Sequence, residues 1–238
     1  MQTAKFTLIS AIIVLAIAIQ SASAQHAGDV WVGRTSAGQL DAGGFIDVGV
    51  GFYLAPSGGL FPGWSDNDPG FDRVINDDPE NDLYSLATGA QIRLEVVAFD
   101  PALRAVDTSF NILDTPGEQT ILGGATLHTH LTWNINVNDP MFDDQEYVWE
   151  AKFRFVDTGS TGYVTSDDIS LRFTNVDVAP GDVNEDGLVD TLDVPDFLAL
   201  LFDDSTATRE QRAAADINLD RNIDGIDLQL FVTALLSP

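Results

Sequence analysis

From Gly181 onward the chain writes one short pattern twice. The first copy reads GDVNEDGLVDTLDVPDFLALLF and the second ADINLDRNIDGIDLQLFVTALL. Placing Asp182 on Asp216 sets the offset at 216 − 182 = 34 residues. Asp182, Asn184, Asp186, Asp190 and Asp193 then fall on Asp216, Asn218, Asp220, Asp224 and Asp227, and Phe197 and Leu201 fall on Phe231 and Leu235. The matched apolar positions recur four apart, as on one face of a helix. Each copy therefore reads as an oxygen-rich loop followed by a helix.

Calcium gathers six to eight hard oxygens, and a twelve-residue loop can wrap that many around one point. Counting from Asp182, the side chains of Asp182, Asn184 and Asp186 stand at positions one, three and five. Gly187 stands at six, where the chain must turn, and the carbonyl of Leu188 at seven. Asp190 stands at nine and Asp193 closes the loop at twelve. The order D-x-N-x-D-G with an acid at twelve is a specific calcium pattern. The second copy offers Asp216, Asn218, Asp220, the carbonyl of Asn222, Asp224 and Asp227, but carries Arg221 at the turn. A side chain there asks for a left-handed backbone, which costs about 1 kcal/mol. Arg221 also brings a positive charge toward the ion, so the second loop is expected to bind more weakly.

These paired loops, each followed by a helix and each ending in Asp rather than Glu, resemble a type I dockerin. The resemblance implies a small all-α, calcium-folded module that docks onto cohesin domains or another surface protein. It also implies that the residues before each last ligand, Thr191 and Leu192, then Gly225 and Ile226, bear on the choice of partner. Phe197, Leu198 and Leu201 are expected to pack against Phe231, Val232 and Leu235. Calcium is the expected staple, since so short a tail buries little core of its own.

The opposite end reads as a secretory signal peptide, residues 1–24. Lys5 precedes the apolar run Phe6 to Ile19, and Ala22-Ser23-Ala24 supplies small residues for cleavage. The expected product begins at Gln25 and is extracellular or cell-surface associated, with no transmembrane segment after cleavage. Lys5 is the only charged residue before Gln25, so ten basic residues stand against 37 acidic ones in the remainder. Such a charge repels phosphate, which excludes nucleic acid as a partner. The chain has no cysteine, hence no disulfides.

Residues 25–179 alternate with period two, the signature of half-buried strands. Leu127, Leu131, Trp133 and Ile135 alternate with His128, His130, Thr132 and Asn134. Similar runs cover Ile46 to Leu54, Ile92 to Ala98, Tyr147 to Phe155 and Ile169 to Phe173, with shorter ones at Gly28 to Thr35 and Phe110 to Asp114. Ala55–Asn81, Asp114–Gly124, Asn138–Gln145 and Asp157–Ser166 read as turns. Many strands without a usable helix predict an antiparallel β-sandwich or jelly roll, joined at Val178-Ala179-Pro180 to the tail, residues 180–238. Segments such as DNDPGFD and LHTHLTWNI resemble the β-rich domains of secreted bacterial, planctomycete-like proteins that carry dockerin-like tails.

Two imidazoles two residues apart on one strand face the same way. His128 and His130, with His26 as a third ligand, are therefore a candidate site for Zn2+ or Cu2+. The segment from Gly63 to Asp72 is expected to be a polar turn, with a calcium loop or a sugar platform on Trp64 as alternatives; Trp133 and Trp149 are expected in the core. No G-x-S-x-G, H-E-x-x-H, cysteine nucleophile or phosphate loop is present. The favoured reading is a non-catalytic β domain held in place by its tail. The resemblance leaves open a polysaccharide-binding domain, or an enzyme hydrolysing O-glycosyl bonds in polysaccharides.

Overall fold

The computed structural model describes residues 28–44 and 51–236. The signal segment, His26 and most of the Ile46 to Leu54 run lie outside the described residues. Along the chain the strands are β1 (Val30–Arg34), β2 (Leu40–Gly44), β3 (Phe52–Tyr53), β4 (Ala55–Ser57), β5 (Gly63–Asp66), β6 (Phe71–Arg73) and β7 (Ile92–Phe99). Then follow β8 (Leu103–Val106), β9 (Ile112–Leu113), β10 (Gln119–Gly123), β11 (His128–Thr129), β12 (Thr132–Asn136), β13 (Trp149–Asp157) and β14 (Ile169–Thr174). Three helices close the chain, α1 (Val194–Phe202), α2 (Arg209–Ala215) and α3 (Gly225–Leu236).

The strands form three sheets, ordered β11-β6-β1-β2, β10-β7-β13-β14-β3 and β4-β5-β12-β8-β9. The pairing is not antiparallel throughout: β1 and β6 run parallel, as do β14 and β3. Parallel neighbours need long crossovers, and here the intervening chain builds strands of the other sheets. The alternation read from the sequence places side chains as expected. Ile92, Leu94 and Val96 face inward from β7, Ala151, Phe153 and Phe155 from β13, and Ile169, Leu171 and Phe173 from β14. All three sheets share one core. Phe71 from the first sheet meets Phe153 of the second edge-on at 5.7 Å, and Trp133 of the third lies 4.8 Å from Phe173 of the second. Trp133 and Trp149 are buried, as expected, and the Trp133 indole N–H donates to the Pro69 carbonyl at 2.9 Å.

The single strand expected from Leu127 to Val137 is two. It breaks at His130 and Leu131, so that β11 pairs with β6 while β12 pairs with β5 and β8. Asn134, expected on the polar face, is fully buried; its amide donates to the Trp64 carbonyl and its oxygen accepts from Arg104. The segments read as turns hold β4, β5, β6 and β10, most of them too short to show a period. Trp64 lies in β5, half-buried and stacked 5.8 Å from Phe142, so the polar turn is confined to the residues after Asp66.

In the tail, α1 and α3 follow the two loops as expected. The sequence reading missed α2. Its signal was a capping box: the Thr208 hydroxyl accepts from the Gln211 N–H and the Gln211 side chain accepts from the Thr208 N–H. Phe197 and Phe231 stack at 4.4 Å with their planes 4° apart, and both are buried. Their partners differ from those expected. Leu235 packs on this core as expected, but Leu200 and Leu228 join it while Leu198 and Val232 are exposed. The inner face of α1 thus runs i, i+3 from Phe197, and that of α3 runs i, i+3, i+7 from Leu228.

Candidate functional site

The two loops repeat each other bond for bond. In the first, Asp182 accepts the N–H groups of Asp186 at 3.1 Å and Gly187 at 3.0 Å. Asp193 accepts those of Asn184 at 3.0 Å and Asp190 at 2.9 Å. In the second, Asp216 accepts from Asp220 at 2.9 Å and Arg221 at 2.8 Å, while Asp227 accepts from Asn218 at 3.3 Å and Asp224 at 2.9 Å. Every pair obeys the 34-residue offset. Positions one and twelve thus gather the loop around themselves, while Asn184, Asp186 and Asp190, with Asn218, Asp220 and Asp224, line its wall.

Asp182, Asp193, Asp216 and Asp227 are all buried. Among the described residues no Lys, Arg or His forms an ion pair with any of them. A buried carboxylate without a counter-charge is costly, and a cation removes that cost. Burial raises Asp227 and pushes Asp216 up to about 6, the Tyr147 hydroxyl and loop N–H bonds opposing it. These donor sets are all oxygen, which suits calcium.

Arg221 takes the left-handed backbone expected of it, with φ of 69° against 87° at Gly187. Its charge, however, is spent away from the loop. The guanidinium pairs with Asp100, donates to the Val148 carbonyl at 2.8 Å and lies 3.6 Å from Glu146. The second loop is thereby fastened to the β-rich part. The Tyr147 hydroxyl donates to Asp216 at 2.9 Å, Arg172 reaches the Asn218 carbonyl at 3.1 Å, and Leu219 packs with Tyr147, Val148 and Val176. Burial, and then the Asp216 carboxylate, raise the Tyr147 hydroxyl well above its ordinary value, which keeps it a donor. Arg221→Gly should relieve the turn yet free the tail, losing about 1–2 kcal/mol of hydrogen bonding to charged and carbonyl groups. Faster proteolysis near Val178 in calcium-loaded Arg221→Gly than in wild type is the expected readout; equal rates would show the pairing to be idle.

The outer surface repeats as well. Leu192 and Ile226, Leu198 and Val232, and Phe202 and Leu236 are pairs 34 residues apart, and all six are exposed. Thr191 and Gly225 are exposed beside the first pair.

The histidine pair stands elsewhere, at the end of the sheet containing β1, β6 and β11. His128 and His130 have ring centroids 5.2 Å apart. The described residue that joins them is Asp29, which the sequence reading passed over because nothing in the sequence ties position 29 to 128.

No curated protein and no solved structure matches the chain. Its C-terminal segment, residues 180–236, matches the family model described as the dockerin type I domain, the family that the duplicated loops had suggested.

Proposed function

We propose that this chain is a secreted, non-catalytic β-sandwich protein tethered to an extracellular assembly by a calcium-loaded dockerin module. The division falls at residues 25–179 and 180–238. One calcium ion is held by Asp182, Asn184, Asp186, the Leu188 carbonyl, Asp190 and Asp193. A second is held by Asp216, Asn218, Asp220, the Asn222 carbonyl, Asp224 and Asp227. The observation that carries this reading is the bond-for-bond repeat of two loops around four buried, cation-free carboxylates.

The partner is a cohesin-type domain, met by the repeated apolar positions Leu192, Leu198, Phe202, Ile226, Val232 and Leu236. Calcium bears on that surface through the backbone, Leu192 and Ile226 standing next to the last ligands Asp193 and Asp227. It fixes the loops, the loops start α1 and α3, and those helices hold the apolar side chains in register. Among the described residues no helix is long and apolar enough to cross a membrane.

The full chain would be passed over immobilised type I cohesin domains in calcium and in excess chelator. Capture in calcium and release by chelator is expected, with Leu192→Asp/Ile226→Asp lowering affinity at least about tenfold, the loss of 1.4 kcal/mol or more of apolar contact. A chain that binds no calcium, or binds the cohesin equally well without it, ends this reading.

A further inference from the structure

We infer that Asp29, His128 and His130 form a site for one zinc-like transition-metal ion, separate from the calcium loops. One nitrogen of each imidazole and one oxygen of Asp29 lie within 4.8 Å of one another. Ligand atoms around a tetrahedral zinc with bonds of about 2.1 Å stand about 3.4 Å apart. Small side-chain rotations close that difference; Nε2 of His130 is already 4.0 Å from Oδ2 of Asp29.

The surroundings aim these groups. Asp29 is buried, and its Oδ1 accepts the Gly70 N–H at 2.9 Å. Its Oδ2, equally buried, takes part in no hydrogen bond and faces His130. Nδ1 of His130 sits 3.0 Å from the Asn67 carbonyl and 3.4 Å from Asp68. A ring that donates from Nδ1 presents the Nε2 lone pair to an ion, the usual outer support of a metal-bound histidine. His128 has a carboxylate nearby in the same position, its Nδ1 lying 3.7 Å from the buried Oδ2 of Asp72, close enough to become a hydrogen bond after a small ring rotation. Arg73 and its own N–H hold the other oxygen of Asp72. Glycine at position 70 leaves the space the His130 ring fills, since a Cβ there would come within 2.5 Å of it.

Two imidazoles and one carboxylate favour a borderline transition metal over calcium. Both histidines reach solvent, so a fourth position stays open to water, the arrangement of zinc sites with three protein ligands. The third ligand among the described residues is Asp29; His26 lies outside them. Asp72 is a positioning residue.

The test is calorimetric titration of zinc into the full chain, stripped of metals and then saturated with calcium. One zinc per chain is expected. His128→Ala and His130→Ala should each weaken binding about 100-fold or more, and Asp29→Asn, which keeps the acceptor for Gly70, about 10–100-fold; Asp72→Asn should cost about tenfold. Zinc-edge X-ray absorption on the wild type, which needs no variant to fold, should show two imidazoles in a nitrogen and oxygen shell. No zinc uptake beyond that of His128→Ala/His130→Ala, an unchanged affinity in Asp29→Asn, or a shell without imidazole would each overturn the site.

Discussion

Chelating calcium from the intact chain is expected to melt α1 and α3 while the β-rich part stays folded. An ion that binds only the folded state stabilises it by RT ln(1 + [L]/Kd), about 2.7 kcal/mol at a hundredfold excess over Kd. Two loops so loaded supply about 5 kcal/mol, the scale of a small domain's whole stability. Without the ions, each loop holds two buried carboxylates without a side-chain counter-charge, beside a core of little more than Val183, Phe197, Ala214, Ala215 and Phe231. The main β-rich core draws on none of the loop residues, Leu219 packing instead on the smaller cluster of Tyr147, Val148 and Val176. Circular dichroism should therefore lose its helical part in excess chelator, keep its strand part, and recover fully when calcium returns. Helicity indifferent to chelator would mean that the loops do not hold the tail together.

Phe231→Ala should have an effect of similar size from the other side of the same equilibrium. Removing a buried phenylalanine costs about 3–5 kcal/mol, and Phe231 also stacks flat on Phe197 and occupies the space that a Cβ at Gly181, beside the first loop, would need. Folding and calcium binding are coupled, so a loss of about 3 kcal/mol appears as a fall in apparent calcium affinity of about a hundredfold. Val232→Ala, one residue along and exposed, should change calcium affinity by less than about 0.5 kcal/mol. Calcium titrations followed by helicity compare the two directly. Equal midpoints for both variants would show that the stacked pair does not couple the loops to the helices.

The contrast between Phe231 and Val232 marks how far the sequence could be read. Its repeat identified the loops, the oxygen donors that stand in them and the phenylalanines that stack, because an ion loop keeps its donors at set intervals. It placed Leu201 in the core through a four-residue spacing from Phe197, with Leu198 and Val232 beside the phenylalanines, whereas α1 and α3 turn Leu200 and Leu228 inward through a three-residue spacing. Both spacings lie on one helix face, and only the docking of the helices decides between them. The long strands were legible for the same reason as the loops: β7, β13 and β14 run far enough to show their period. β4, β6 and β9 span two or three residues each, too few for any period.

Residues distant in sequence were beyond reach altogether. Asp29 meets His130 because β1 and β6 run side by side and β11 pairs with β6. No local pattern records that meeting. Arg221 shows the same division at one residue. From the sequence it was a charge at a turn that prefers glycine, and its positive φ follows from that place in the loop. Where its guanidinium goes depended on Asp100, Glu146 and the Val148 carbonyl, 73 to 121 residues away. The sequence by itself determined the duplicated calcium loops and the alternating strands, because donor spacing and side-chain period are local properties of a chain. The tertiary structure alone decided which face of each helix is buried, that the second loop is bound to the β-rich part, and which carboxylate lies beside the histidine pair, because each depends on groups that only folding brings together.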